Sequence, residues 1–198
     1  KLKNVLQAPP VAEPLGMFDC APNSDGAAAV VLCAMDRAKR YTDTPVKVLS
    51  SAQASDSLAL HHRKSLVRFD ATAKAGRKAF ERAGLTPQDV NLAEVNDNFT
   101  ISELLAIEDL GFFPKGEGGK ATEEGLTELG AELAVNTSGG LKARGDPIGA
   151  TGVAQVVEAV TQLRGEAGNR QVDGAEVALT HNVGGTGSTA VVHLLGVI

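Results

Sequence analysis

The chain has 198 residues, 43% hydrophobic and 22% charged, with 22 glycines and a formal net charge of −5; this supports a packed core and excludes nucleic-acid binding through bulk positive charge. Two cysteines, Cys20 and Cys33, are too few for a disulfide scaffold, which predicts a reducing, cytoplasmic setting. No run of about 18 apolar residues is present, so no membrane-spanning segment is expected, nor a secretory leader, and Lys1 in place of Met reads as the start of a fragment or a processed piece.

Residues 1–14 hold three prolines and no clear periodicity, and read as an extended arm. DCAPNSDG at 19–26 is a polar, turn-rich loop. The apolar run AAAVVLCAM at 27–35 reads as a buried strand or helix segment, with Gly26 before it and DRAKR after it favouring a strand that ends at the surface. Cys33 is then expected in the core, and Cys20 in a structural place in the loop. VKVLSS at 46–51 is a second strand. Between 52 and 69, Ser, His and basic residues replace periodicity, as in a linker. Residues 72–83 have helical spacing, with Ala75, Ala79 and Phe80 on one face and Gly84 as the stop. TPQD at 86–89 is a turn with Pro suited to a first helical position. VNLAEV at 90–95 reads as a strand, and 99–110 as an amphipathic helix ended by Gly111. Residues 112–133 form a long polar, Gly-rich excursion of the kind that carries function or its own substructure. VNTSGGL at 135–141 is a glycine turn. A third helix is expected over 149–163, with Val153, Val156, Val157 and Val160 as its apolar face. Strands at 176–180 and 188–198 follow, joined by NVGGTG at 182–187; the last has no polar tail and is expected to end inside the sheet. The sum is an α/β layered domain with a mixed sheet.

Three polar segments lie after a strand or at a helix start: NDNF at 96–99, GGLKARGDPIGATG at 139–152 and HNVGGTG at 181–187. Strand ends are where sites assemble in α/β sheets, and glycine turns there let backbone N–H groups approach a ligand oxygen. GGLKARGDPIGATG resembles the thiolase signature GGxxxxGHPxGATG. NDNF resembles the NEAF or HDCF signature that precedes it. THNVGGTG at 180–187 is similar to the closing CxGGG-type loop, and DCAPNSDGAAAVVL at 19–32 to the segment that ends the N-terminal half. Order and spacing agree over nearly the whole chain. The excursion GFFPKGEGGKATEEG at 111–125 is similar to the sterol-carrier-type and archaeal thiolases.

This resemblance to acetyl-CoA acetyltransferases of that type implies a layered αβαβα fold of two similar halves, with a mixed five-stranded sheet. Residues 1–51 would then be the end of the N-terminal half (arm and last strand), 52–69 a linker, and 70–198 the C-terminal domain. The family's nucleophilic cysteine belongs to the half this chain does not match, and neither Cys20 nor Cys33 lies in its motif. The histidine of GHP, which activates that cysteine and donates to the thioester oxygen, corresponds to Asp146. The closing-loop cysteine corresponds to Asn182 and the HDCF cysteine to Asn98. Asn96 matches the asparagine that positions an oxyanion-hole water. Gly184, Gly185, Arg63 and Arg68 are the expected contacts to coenzyme A, which enters as substrate thioester with no further cofactor. Expected partners are the N-terminal half, on the same or a separate chain, a second copy forming a homodimer, and a small OB-fold, zinc-ribbon protein; no nucleic acid or membrane is expected. An isolated half would expose a large apolar face, which also predicts pairing.

The substitutions change the chemistry. A thiolate near neutral pH needs a cationic or donor neighbour. A carboxylate about 4 Å away opposes it by roughly 4 kcal/mol at an effective dielectric of 20, about three pKa units at about 1.4 kcal/mol each, and cannot donate to an oxyanion. Three readings follow: a divergent acyl-CoA C-acyltransferase, a thiolase-fold aldolase or retro-aldolase with Asp146 as base, and a non-catalytic acyl-CoA-binding or scaffolding subunit. Asp146 also has a structural reading, as an N-terminal cap with Pro147 at the first helical position. His181, at a strand end before the loop, reads as a hydrogen-bonded structural residue rather than a base, and His193 as a sheet residue. His61 and His62 have no ligand partners at metal spacing.

Overall fold

The first segment departs from an extended arm in the computed structural model, which describes residues 2–197; Lys1 and Ile198, at the ends of the expected arm and last strand, lie outside them. Leu2–Leu6 is a short helix (α1), and Pro10–Ala12 (β1) pairs with Leu15–Gly16 (β2) as a small antiparallel hairpin. Pro10 opens its strand, where a missing ladder N–H is tolerated.

The apolar run at 27–35 is also a correction. Residues 24–34 carry no regular structure, Val31 and Leu32 are 94% and 77% exposed, and Cys33 is exposed rather than core. The residues have strand-forming side chains, but no described strand pairs with them, and an unpaired strand has no ladder to hold it. Met35–Ala38 then makes a short helix (α2).

The remaining elements alternate. They are Lys47–Ser55 (β3), Asp70–Ala83 (α3), Leu92–Glu94 (β4), Thr100–Asp109 (α4), Gly118–Glu123 (α5), Ala134–Val135 (β5), Gly140–Arg144 (α6), Thr151–Leu163 (α7), Val177–Gly184 (β6) and Thr189–Gly196 (β7). Five strands form one mixed sheet in the order β3-β7-β6-β4-β5, with β6, β4 and β5 parallel and β7 antiparallel to both its neighbours. β3 runs four residues beyond Ser51 along β7, because Ala52 and Ala54 keep the inward alternation going. β6 likewise continues past Thr180 to Gly184, so His181 and Asn182 are ladder residues rather than loop.

One sheet face packs against α3 and α4. Ala71, Ala75 and Ala79 of α3 are fully buried, so α3 lies close on β3 and β7, and Gly76 has no room for a Cβ beside Leu110, which brings α3 close to the end of α4. Gly84 ends α3 at φ +68°, donating its N–H to the Phe80 carbonyl. α7 covers the other face over β6 and β4. Of its expected apolar face, Val156 and Val160 pack against the core beside Ala159 and Leu163, but three polar residues are buried more deeply. Gln155, Glu158 and Gln162 are buried, while Val157 is 39% exposed. Each of these side chains has at least one partner that offsets part of its desolvation, although Gln155 Oε1 is buried without one. Gln155 Nε2 donates to the His181 carbonyl at 2.9 Å, Gln162 bridges the Arg170 carbonyl and Val172 N–H, and Glu158 pairs with Arg170 at 2.9 Å. Beyond α7, the flank of β3 and β7 stays open as a cleft of about 520 Å³, walled by Val48, Val153, Val156 and Val191. Among the described residues no helix is long and apolar enough to cross a membrane.

Candidate active site

The parallel pair β4–β6 brings two of the three motifs to one sheet edge. Glu94 lies beside Thr180, and carrying that register two residues further puts Asn96 level with Asn182. Asn96 is buried; Asn182 is half-buried at the end of the open cleft, with Thr180 and His193 also on its wall. The start of α7 closes against them. Gly152 lies so near Asn182 that a Cβ there would sit 3.4 Å from the amide carbon.

Asp146 belongs to the same edge. Its N–H donates to the Pro22 carbonyl at 2.9 Å, and its Oδ1 accepts the Thr151 hydroxyl at 2.7 Å. It is not the helix cap. α7 begins at Thr151 with Ala150 as its N-cap, and Pro147 starts the preceding turn, its carbonyl accepting the Thr151 N–H. Asn98 is turned into a different partnership. Its carbonyl accepts the Ala21 N–H at 2.9 Å, and Phe99 bridges to Cys20. The structure thus ties Asp146 to Thr151, next to the Gly152 that touches Asn182, and sets Asn96 two residues beyond Glu94 on the neighbouring strand; the backbone of Asn98 is bonded to the N-terminal segment.

Gly184 and Gly185 form the exposed tip of the β6–β7 hairpin, with Gly185 at φ +59°. Arg63 is bound to that tip. Its guanidinium donates to the Thr186 carbonyl at 2.6 Å, the Thr186 hydroxyl at 3.1 Å and the Ser57 carbonyl at 2.9 Å. These acceptors occupy it as a latch between the 56–69 segment and the turn. Phe69 packs under Gly187, where a Cβ would meet its ring. Arg68 stands away from the turn, paired with Asp70 at 3.0 Å.

Sequence reasoning missed the carboxylates beneath this edge. Glu94, fully buried, accepts from Ser138 N–H, Ser138 Oγ and Thr137 Oγ1; burial raises its pKa and the Ser138 bonds oppose the rise. Asp97 accepts the Leu141 N–H at 3.0 Å. Its pKa is also raised by burial, with the Asp146 charge adding to the rise and Arg144 opposing it. Glu103 of α4 accepts from Asn136 Nδ2 at 2.5 Å and is pushed up to about 7, chiefly by burial and then by Asp97. The signal for Asp97 lay in the NDNF motif itself; Glu94 and Glu103 stood in apparently ordinary strand and helix patterns.

Glu103 gives a pH-dependence with a defined sign. Its folded pKa of about 7 exceeds the ordinary 4.5, so the folded state keeps a proton that the unfolded state loses between those values. Its contribution is full below 4.5 and lost as pH rises through 7. Glu103→Gln removes the dependence while keeping an acceptor for Asn136. Urea unfolding at pH 8 should show the variant more stable by up to about 3 kcal/mol, with little difference at pH 4.5. His181, fully buried and lowered by burial to about 4, loses stability in the opposite sense as pH falls from 6.5. That term is common to both proteins and cancels in the comparison.

The thiolase C-terminal domain-like family matches residues 52–197. An acetyl-CoA acetyltransferase of Methanothermobacter thermautotrophicus is 58% identical over 98% of this chain and 50% of its own length. Sterol carrier protein 2 of Oryctolagus cuniculus is 41% identical over 98% of this chain and 36% of its own. The solved structure of an Ltp2-ChsH2(DUF35) aldolase superposes with a TM-score of 0.86 at 25% identity, covering all of this chain and 51% of the matched one. The chain thus spans about half the length of the first and third of these and about a third of the second.

Proposed function

Because this chain belongs to the thiolase family through its C-terminal domain, we propose that it is the C-terminal half of a divergent acyl-CoA C-acyltransferase, with the nucleophilic cysteine on an N-terminal half. The observation that supports this reading is that the start of α7 links Asp146, through Thr151 and Gly152, to Asn182 on β6, beside the strand β4 that leads into Asn96. In it, Asn96 with a bound water and Asn182 hold the thioester oxygen, and the Gly184–Gly185 tip borders the coenzyme A path. The N-terminal half covers the open flank of β3 and β7 and the bare apolar run at 27–35; the segment before β3 belongs with that half, while β3 itself, paired with β7, belongs to the C-terminal sheet rather than to an N-terminal half ending at 51 or a linker over 52–69. The working assembly is a cytoplasmic homodimer of complete subunits, with a small OB-fold, zinc-ribbon protein as accessory partner.

A second reading is favoured by the superposition on the aldolase structure and by a carboxylate at 146. In retro-aldol cleavage Asp146 takes the proton of a β-hydroxyl on the acyl chain. The Cα–Cβ bond then breaks, a carbonyl product leaves, and the thioester enolate is held by the Asn96 water until it is protonated. A scaffolding role differs from both in making no use of Asn96.

The test is calorimetric titration of the complete protein with acetoacetyl-CoA, beside Asn96→Ala. Loss of one buried hydrogen-bond partner should weaken binding about tenfold, roughly 1.4 kcal/mol. Equal affinity in the two proteins would favour the scaffold and overturn the enzyme reading.

A further inference from the structure

Within the GGLKARGDP segment lies a short helix that is bonded to the NDNF segment. α6 spans five residues, and Leu141 is its one fully buried side chain beyond glycine. One apolar anchor fixes a position but not an orientation. Lys142 Nζ donates to the Met17 and Cys20 carbonyls and Asp146 N–H to the Pro22 carbonyl, bonds that tie the helix to the N-terminal segment; two carboxylates at and just beyond the end of β4 tie it to the sheet. Glu94 grips residues 137 and 138 before the helix, and Asp97 Oδ1 accepts the Leu141 N–H inside its first turn, a bond that spans 44 residues of chain. Gly140 stands at φ +64°, and any Cβ there would overlap the Asp97 carboxylate. The far end of α6 is closed by Gly145, whose N–H donates to the Leu141 carbonyl, and the next residue is Asp146.

We propose that Asp97 is a positioning residue that yokes the NDNF segment to α6 and thereby sets Asp146 relative to Asn96. The proposal rests on the reading of that edge as an acyl-CoA site. Asp97 accepts the N–H of the same residue whose carbonyl accepts the Gly145 N–H, so a displacement at Leu141 is passed along one turn to Asp146. The carboxylate acts here as an acceptor; its charge is not required.

The test uses the complete protein, with the N-terminal half present, and the variants Asp97→Ala and Asp97→Asn. Two readouts are taken: amide hydrogen exchange over 137–146 and the acetoacetyl-CoA dissociation constant. Asp97→Ala should speed exchange in that segment at least tenfold and weaken binding about tenfold. Asp97→Asn, whose Oδ1 still accepts the Leu141 N–H, should restore both. Unchanged exchange in Asp97→Ala, or unchanged affinity when exchange has sped up, overturns the proposal. So does an Asp97→Asn protein that loses affinity, which is decisive even where the alanine variant does not fold. If the parent binds no acetoacetyl-CoA while exchange responds as expected, the acyl-CoA reading fails and the tether to α6 stands.

Discussion

Acetoacetyl-CoA cleavage by the complete protein should be weak, and Asp146→His should raise it on the order of 10² to 10³-fold. The expectation follows from what stands at that position. A carboxylate there offers acceptors only, and its Oδ1 is already engaged by the Thr151 hydroxyl. It cannot donate to a developing thioester oxyanion, and one such donor is worth about 10² to 10³ in rate. It also opposes formation of a thiolate on a cysteine brought close by the N-terminal half. Histidine reverses both effects by supplying a donor and a proton acceptor of suitable pKa. The fold should tolerate the change. The backbone at 146 is held by Pro22, and Thr151 retains the Pro147 carbonyl as a second acceptor. The measurement is the steady-state rate of thiolysis with coenzyme A in parent and variant. Ordinary thiolase rates in the parent would sink the argument that Asp146 diverts the site.

Leu179→Ala should cost about 3 kcal/mol and lower the melting temperature by roughly 6–12 °C. Leu179 is fully buried in β6 at the sheet centre, beside Ala93 of β4 and Leu194 of β7. The layer above it is built from the alanines of α3, which are already in close contact with the sheet. Small side chains cannot swing into the space a leucine leaves, so the cavity persists and adds its own cost to the lost burial. Leu179→Met nearly conserves volume and should cost less than about 1.5 kcal/mol. Urea unfolding of the three proteins at one pH compares them directly. A loss below about 1 kcal/mol for the alanine variant would mean that α3 settles onto the sheet.

Much of the architecture was legible in local pattern. The 3.6-residue spacing at 72–83, closed by Gly84, appears as α3 with its alanines inward. Alternation at 46–51 and 188–198 marks the two strands that pair along the sheet edge. The motif order 96–99, 139–152, 181–187 identified the family before any fold was in view, and the mixed five-stranded sheet agrees with it. The failures share a cause. The run at 27–35 has the composition of a core strand yet is bare, since burial depends on a neighbouring surface rather than on the residues themselves. On α7, Val156 and Val160 pack inward as expected, but the buried Gln155, Glu158 and Gln162 went unread, because the hydrogen-bond partners that make their burial tolerable lie elsewhere in sequence.

The sequence by itself determined the class of fold, the family and the identity of the substituted positions, since each is written in spacing and residue type over short stretches. Only the tertiary structure decided which residues work together. Arg63 as a latch on Thr186, Asn98 turned to Ala21, and Asp97 joined to Leu141 are all pairings across long separations. No local pattern encodes them; they exist because strand register and helix packing bring distant donors and acceptors within bonding distance, where water no longer satisfies them.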